Sequence, residues 1–109
     1  MHELAITQSV IEAVCERAGT RPVGSVRVRV GALTAVVPEA MQFCFELAAE
    51  GTVAEGARLD IERCPAEARC RTCGAEFGVP DLILLCDCGS ADVEVTAGRE
   101  LEILSMEVG

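Results

Sequence analysis

The sequence has no tryptophan and no tyrosine, and only three phenylalanines. Any core must be built mainly from Ala, Val, Leu and Ile, and a surface that stacks nucleic-acid bases on aromatic rings is disfavoured. There is one histidine, at position 2. No nucleophile–base pair can be assembled around it, and the histidine-containing signature of zinc deaminases is missing. Basic residues are also scarce: nine stand against 18 acidic ones, for a formal charge of -9. A duplex-binding protein needs a basic stripe, so nucleic acid is not expected as a partner. No run approaches the roughly 20 apolar residues of a membrane span. The first 19 residues lack a basic leader region, and Glu3, Glu12, Glu16 and Arg17 interrupt them. They read as part of the fold rather than as an export signal, which places the chain in the cytoplasm.

Half of the 109 residues are hydrophobic, enough for one folding unit or for a small core with an appendage. An appendage of this size buries little and needs a staple. Seven cysteines are available. In a reducing compartment they are expected as thiols or metal ligands, and an odd number leaves a disulfide framework incomplete.

Residues 3–18 carry Leu4, Ile11, Val14, Cys15 and Ala18 at three- and four-residue steps, which predicts an amphipathic helix ended by Gly19. Pro22 and Gly24 predict a turn. Val26–Val30 alternates with period two and reads as a strand with one wet face. A second helix is expected from Pro38-Glu39 to just before Gly51, with Met41, Cys44, Phe45 and Ala48 inward. Ala57–Arg63 alternates as a second strand. Glu100–Val108 reads as a third, with Leu101, Ile103 and Ser105 on one face and Leu104 and Met106 on the other. Residues 64–98 differ, being rich in cysteine and glycine with short β-like pieces. The fold class is therefore α+β, two helices packed on a three-stranded sheet with an inserted small β-type zinc-binding lobe. The expected domains are 1–63 with 99–109, and the insert 64–98.

The insert holds Cys70-x₂-Cys73-x₁₂-Cys86-x-Cys88. Two close pairs a hairpin apart suit tetrahedral Zn²⁺, each pair supplying two thiolates from one turn. Gly74 and Gly89 follow the second cysteine of each pair, where backbone N–H groups must approach sulfur. Arg69 and Arg71 flank the first pair and could offset its charge. A redox Cys-x-x-Cys lacks its βαβ setting, and a rubredoxin-like iron site lacks aromatic packing. Four thiolates leave no open position, so the zinc is structural and the chain is not expected to be an enzyme. The second pair is one residue shorter than usual, and Cys64 is the reserve ligand if Cys86 or Cys88 fails. Cys15 and Cys44 are expected to be small core residues.

A lone histidine near a helix start is ordinarily solvated or capping. This position nevertheless has chelating capacity: the Met1 α-amine, the His2 amide nitrogen and the His2 imidazole close adjacent rings on one ion. The Glu3 amide could complete a square plane, a geometry suited to Ni²⁺ or Cu²⁺.

Met1-His2-Glu3-Leu4, Val30-Gly31-Ala32-Leu33, Phe43-Cys44-Phe45-Glu46-Leu47, Gly56-Ala57-Arg58-Leu59, Cys70-Arg71-Thr72-Cys73-Gly74 and Cys88-Gly89-Ser90 together resemble the HypA family, nickel metallochaperones of nickel–iron hydrogenase maturation. The resemblance runs along the whole chain in order. It implies a nickel-binding domain of both helices and a three-stranded sheet, with an inserted zinc domain. It carries transported Ni²⁺ onto His2, the Met1 amine and the backbone around Glu3, and structural Zn²⁺ onto Cys70, Cys73, Cys86 and Cys88. It also implies delivery to the hydrogenase large-subunit precursor with a GTPase of the same pathway, and some members serve urease. Cys86-x-Cys88 departs from the family's common Cys-Pro-x-Cys form. A homodimer is among the assemblies such a chain allows. The rival reading is a zinc-stapled interaction adaptor with no nickel role, whose acidic surface docks a basic partner.

Overall fold

A computed structural model describes residues 2–81 and 83–109. The chain divides into two compact units: residues 1–29, 36–62 and 102–109 form the first, and residues 30–35 and 63–101 the second.

In the first unit, α1 (Glu3–Ala18) ends where Gly19 enters the left-handed region at φ 65°, its N–H returning to the Cys15 carbonyl. α2 (Pro38–Ala49) starts with proline in its first turn, where the missing N–H costs nothing. The helices pack on each other. β1 (Val23–Gly31) lies between β2 (Arg58–Cys64) and β6 (Leu101–Val108). Val26 and Val28 are buried on one face of β1, as are Val14 of α1 and Met41 and Phe45 of α2. The Gln42 side-chain amide donates to the Leu59 carbonyl at 2.8 Å, fixing α2 over β2. On the opposite face Arg27 is exposed and Arg29 half-buried. Arg27 and Arg29 both reach Glu62 of β2, and Arg29 also reaches Glu102 of β6 at 3.2 Å. Glu62 above all, then Glu102, raises the Arg29 pKa. These exposed pairs mark strand register more than they add stability.

Several details depart from the sequence expectation. β1 begins at Val23, so Gly24 lies inside the strand rather than in a turn. Leu4 is exposed, while Thr7 and Val10 take buried positions on α1. The Thr7 hydroxyl is satisfied within the helix by the Leu4 carbonyl at 3.0 Å, which makes its complete burial tolerable. On α2 the third fully buried position is Ala49 rather than Ala48. Cys15 and Cys44 are half-buried at the edge of the core, not inside it. Leu101, Ile103 and Leu104 are all exposed, because β6 is a sheet edge and neither of its faces is fully covered.

The second unit has its own sheet, with β3 (Glu67–Cys70) between β4 (Glu76–Gly78) and β5 (Val93–Ala97). Both pairings are antiparallel: Ala68 faces Phe77 on one side and Val95 on the other, with an irregularity between Glu67 and Ala68. The buried cluster is small, consisting of Ala66, Ala68 and Val79 flanked by Leu33, Phe77, Leu84 and Val93. Gly31 sits so close to Gly98 that a Cβ on it would fall 2.1 Å from the Gly98 carbonyl oxygen. The Leu33 N–H donates to that same carbonyl at 2.7 Å.

Candidate metal centre

Cys70 closes β3, and the chain then turns sharply. The Gly74 N–H donates to the Cys70 carbonyl at 2.9 Å with Gly74 at φ 78°, and the Cys73 N–H points at the Cys70 sulfur at 3.5 Å. The second turn is built alike on one residue fewer. The Gly89 N–H donates to the Cys86 carbonyl at 2.8 Å with Gly89 at φ 92°, while the Cys86 N–H donates to the Ser90 carbonyl. Glycine at these two places supplies a conformation that a Cβ would strain. The turns are tied together by Arg71–Asp92 at 3.1 Å and by a Thr72–Ser90 hydroxyl pair at 2.8 Å. Arg71 of the first turn is paired with Asp92.

The four sulfurs converge, all within 4.8 Å of one another. Sulfurs meet between the turns, Cys70 to Cys88 at 3.7 Å and Cys73 to Cys86 at 3.6 Å. Zinc–sulfur bonds near 2.3 Å place the corners of a sulfur tetrahedron about 3.8 Å apart, so the donor set and spacing fit Zn²⁺. One sulfur from each turn, Cys70 and Cys86, is buried, and one from each, Cys73 and Cys88, is exposed.

The electrostatics of the set are uneven. The Cys73 N–H, working against burial and aided by the Thr72 N–H and two neighbouring thiols, holds Cys70 down to about 6. The Cys88 N–H pulls Cys86 the same way, but burial and the surrounding thiols outweigh it and push Cys86 up to about 12. Sulfurs this close cannot all carry charge unless a cation sits among them. One divalent ion would let all four ionise.

Cys64 is not part of this group. It is half-buried at the end of β2, and its thiol donates to the Glu100 carboxylate at 3.2 Å. Glu100 in turn accepts the Gly98 N–H at 2.7 Å. The short Cys86-Asp87-Cys88 turn brings both of its sulfurs to the group, so the condition that would call on Cys64 does not arise.

At the other end of the chain, His2 is exposed and immediately precedes α1, its carbonyl accepting the Ile6 N–H at 3.2 Å. Met1 lies outside the described residues. The Glu3 side chain has a role that sequence reasoning missed: its carboxylate accepts the Val37 N–H at 3.2 Å, at the start of α2. That bond, ahead of all other causes, lowers the Glu3 pKa. α2 has no side-chain cap of its own, so a carboxylate from α1 occupies the positive end of its dipole. Nothing in the local sequence signals a cap supplied from 34 residues away. Among the described residues, the four cysteines are the one group of three or more metal-ligating side chains brought together.

Residues 1–108 match the family model described as "HypA: Hydrogenase/urease nickel incorporation, metallochaperone, hypA". A protein called hydrogenase maturation factor HypA from Nostoc sp. is 43% identical over 108 residues, covering 99% of this chain and 96% of that one. Its counterpart from Geobacter metallireducens is 46% identical over 110 residues, covering 99% of each. The solution structure of the Ni metallochaperone HypA from Helicobacter pylori superposes with a TM-score of 0.67 at 26% identity, covering 99% of this chain and 97% of that one. A second solution structure of a HypA protein gives 0.68 at 29% identity, with 99% and 96% covered. With two helices, mixed sheets and a cysteine cluster suited to zinc, this chain belongs to the HypA family of hydrogenase maturation factors and nickel metallochaperones.

Proposed function

We propose that this chain is a nickel carrier rather than an enzyme, acting in the cytoplasm on one cargo ion at a time. Ni²⁺ is held by the His2 imidazole and amide, the Met1 α-amine and the backbone nitrogen of Glu3, and is delivered to the large-subunit precursor of nickel–iron hydrogenase. A GTPase of the same maturation pathway is the partner in that step. Cys70, Cys73, Cys86 and Cys88 hold one structural Zn²⁺. The nickel-binding domain is residues 1–63 with 99–109, and the zinc domain is residues 64–98.

The observation that carries this reading is the segregation of donor chemistry. Four sulfur donors gather in one cluster in the second unit, while the lone imidazole stands exposed at the head of α1 in the first. Thiolates select Zn²⁺, and nitrogen donors in a plane suit Ni²⁺. An exposed terminus lets a partner replace ligands one at a time, whereas four mutually packed thiolates resist exchange. Zinc here supplies cohesion and no chemistry on the cargo.

The test is a nickel titration of zinc-loaded protein in three forms: native terminus, His2→Ala, and a version extended by a few residues before Met1. The native form is expected to bind one nickel tightly, and both changes to abolish that binding with zinc retained. Equal nickel binding by all three forms would refute the carrier and favour the adaptor.

A further inference from the structure

α2 buries Met41, Phe45 and Ala49 and turns a second apolar pair to solvent. Phe43 is 62% exposed and Leu47 46% exposed. Phe43 is one of only three aromatic residues in the chain, so exposing it spends a scarce core-forming side chain on the surface. At about 100° per residue, Phe43 and Leu47 lie on one stripe of the helix. Glu39, Glu46 and Glu50, all exposed, follow one flank of that stripe. Half-buried Ala40 and Cys44 follow the other. No basic residue occurs between Arg29 and Arg58, so nothing on this helix neutralises its carboxylates.

From these observations we propose that the Phe43–Leu47 stripe of α2 is a docking site for a basic amphipathic helix of a partner protein. Its apolar side chains cover Phe43 and Leu47, and its lysines or arginines run along the flank that meets Glu39, Glu46 and Glu50. Charge selects this occupant over a second copy of the chain. A copy offering the same face would bring three more carboxylates against these three, and like charges at an interface are repelled. On the nickel-carrier reading, the site also has a place in the carrier's work. α2 begins beside Glu3, through its bond to Val37. Phe43 lies about 9 Å further along the helix axis. A helix seated on the stripe reaches the nickel end of the chain without disturbing the core.

The proposal is tested with zinc-loaded full-length protein and a synthetic peptide of about five helical turns, with leucines at three- and four-residue steps and lysines along one flank. Amide shifts are expected on residues 39–50. Phe43→Ser should weaken binding about tenfold, and the combined Glu39→Gln, Glu46→Gln and Glu50→Gln variant severalfold with a flatter salt dependence. These are surface changes, and an unchanged melting curve verifies the fold. A peptide with glutamates in place of the lysines should not bind. Shifts centred on residues 83–85 or 101–106, or wild-type binding by Phe43→Ser, would overturn the proposal. So would self-association abolished by Phe43→Ser, which would assign the face to a second copy. Docking without nickel at His2 would remove only the carrier reading, and nickel at His2 without docking would remove only this one.

Discussion

The two units of this chain are held together by different physics. In the first, Phe45, Met41, Val14, Val26 and Val28 are almost fully buried between helices and sheet. In the second, the buried apolar cluster among the described residues is two alanines and a valine, and Val30, Cys70 and Cys86 are buried besides. Burying a large side chain contributes about 1.5–3 kcal/mol, and an alanine much less. A lobe with so little to bury needs a cross-link, and four converging sulfurs supply one once they share an ion. The first unit can therefore leave its imidazole exposed at the surface, while the second is expected to depend on its sulfurs sharing an ion.

Removing the metal breaks the comparison most sharply. A chelator, or Cys73→Ser, is expected to strip zinc and expose the amides of residues 63–101 to exchange while α1 and α2 stay protected. Cys64→Ser should keep full zinc in metal analysis, because its sulfur serves Glu100 and not the cluster. Complete zinc retention by Cys73→Ser would refute the ligand set.

The converse experiment attacks the first unit. Phe45→Ala leaves a cavity at a site only 1% exposed and should cost about 3–5 kcal/mol in denaturant unfolding with the zinc content unchanged. Next in size is Gly31→Ala. Its methyl would meet the backbone of Gly98 rather than a yielding side chain, for an expected loss of about 1–3 kcal/mol, read from the unfolding midpoint.

The smallest expected effect is at Glu3. Its folded pKa is lowered, chiefly by the Val37 N–H. Its contribution is thus present above the ordinary carboxylate pKa and lost as pH falls through the folded value. The Val37 amide signal should move over that range in wild type and stay flat in Glu3→Ala. A flat wild-type profile would remove this tie between the helices.

Much of the molecule was legible in the sequence because its signals are local. The three- and four-residue steps of residues 3–18 reappear as Glu3–Ala18, and the alternation of Val26, Val28 and Val30 reappears as the buried face of β1. The cysteine pairs with their following glycines become two matching turns. What failed depended on distant neighbours. Leu4 has the right phase for a core residue but sits at the helix end, past the layer that would cover it. The apolar residues of β6 look like core until the strand is found at an edge.

By itself, the sequence determined which segments would be helix or strand and which four thiols could share an ion. Periodicity and spacing act over a few residues, and packing left these readings in place except at Gly24, which joined β1. Only the tertiary structure decided that the two cysteine turns meet, with Cys70 against Cys88 and Cys73 against Cys86, that Cys64 serves a carboxylate, that Glu3 caps a helix far along the chain, and that Phe43 faces outward. Each of these depends on which surfaces meet, and that is settled by burial over the whole fold.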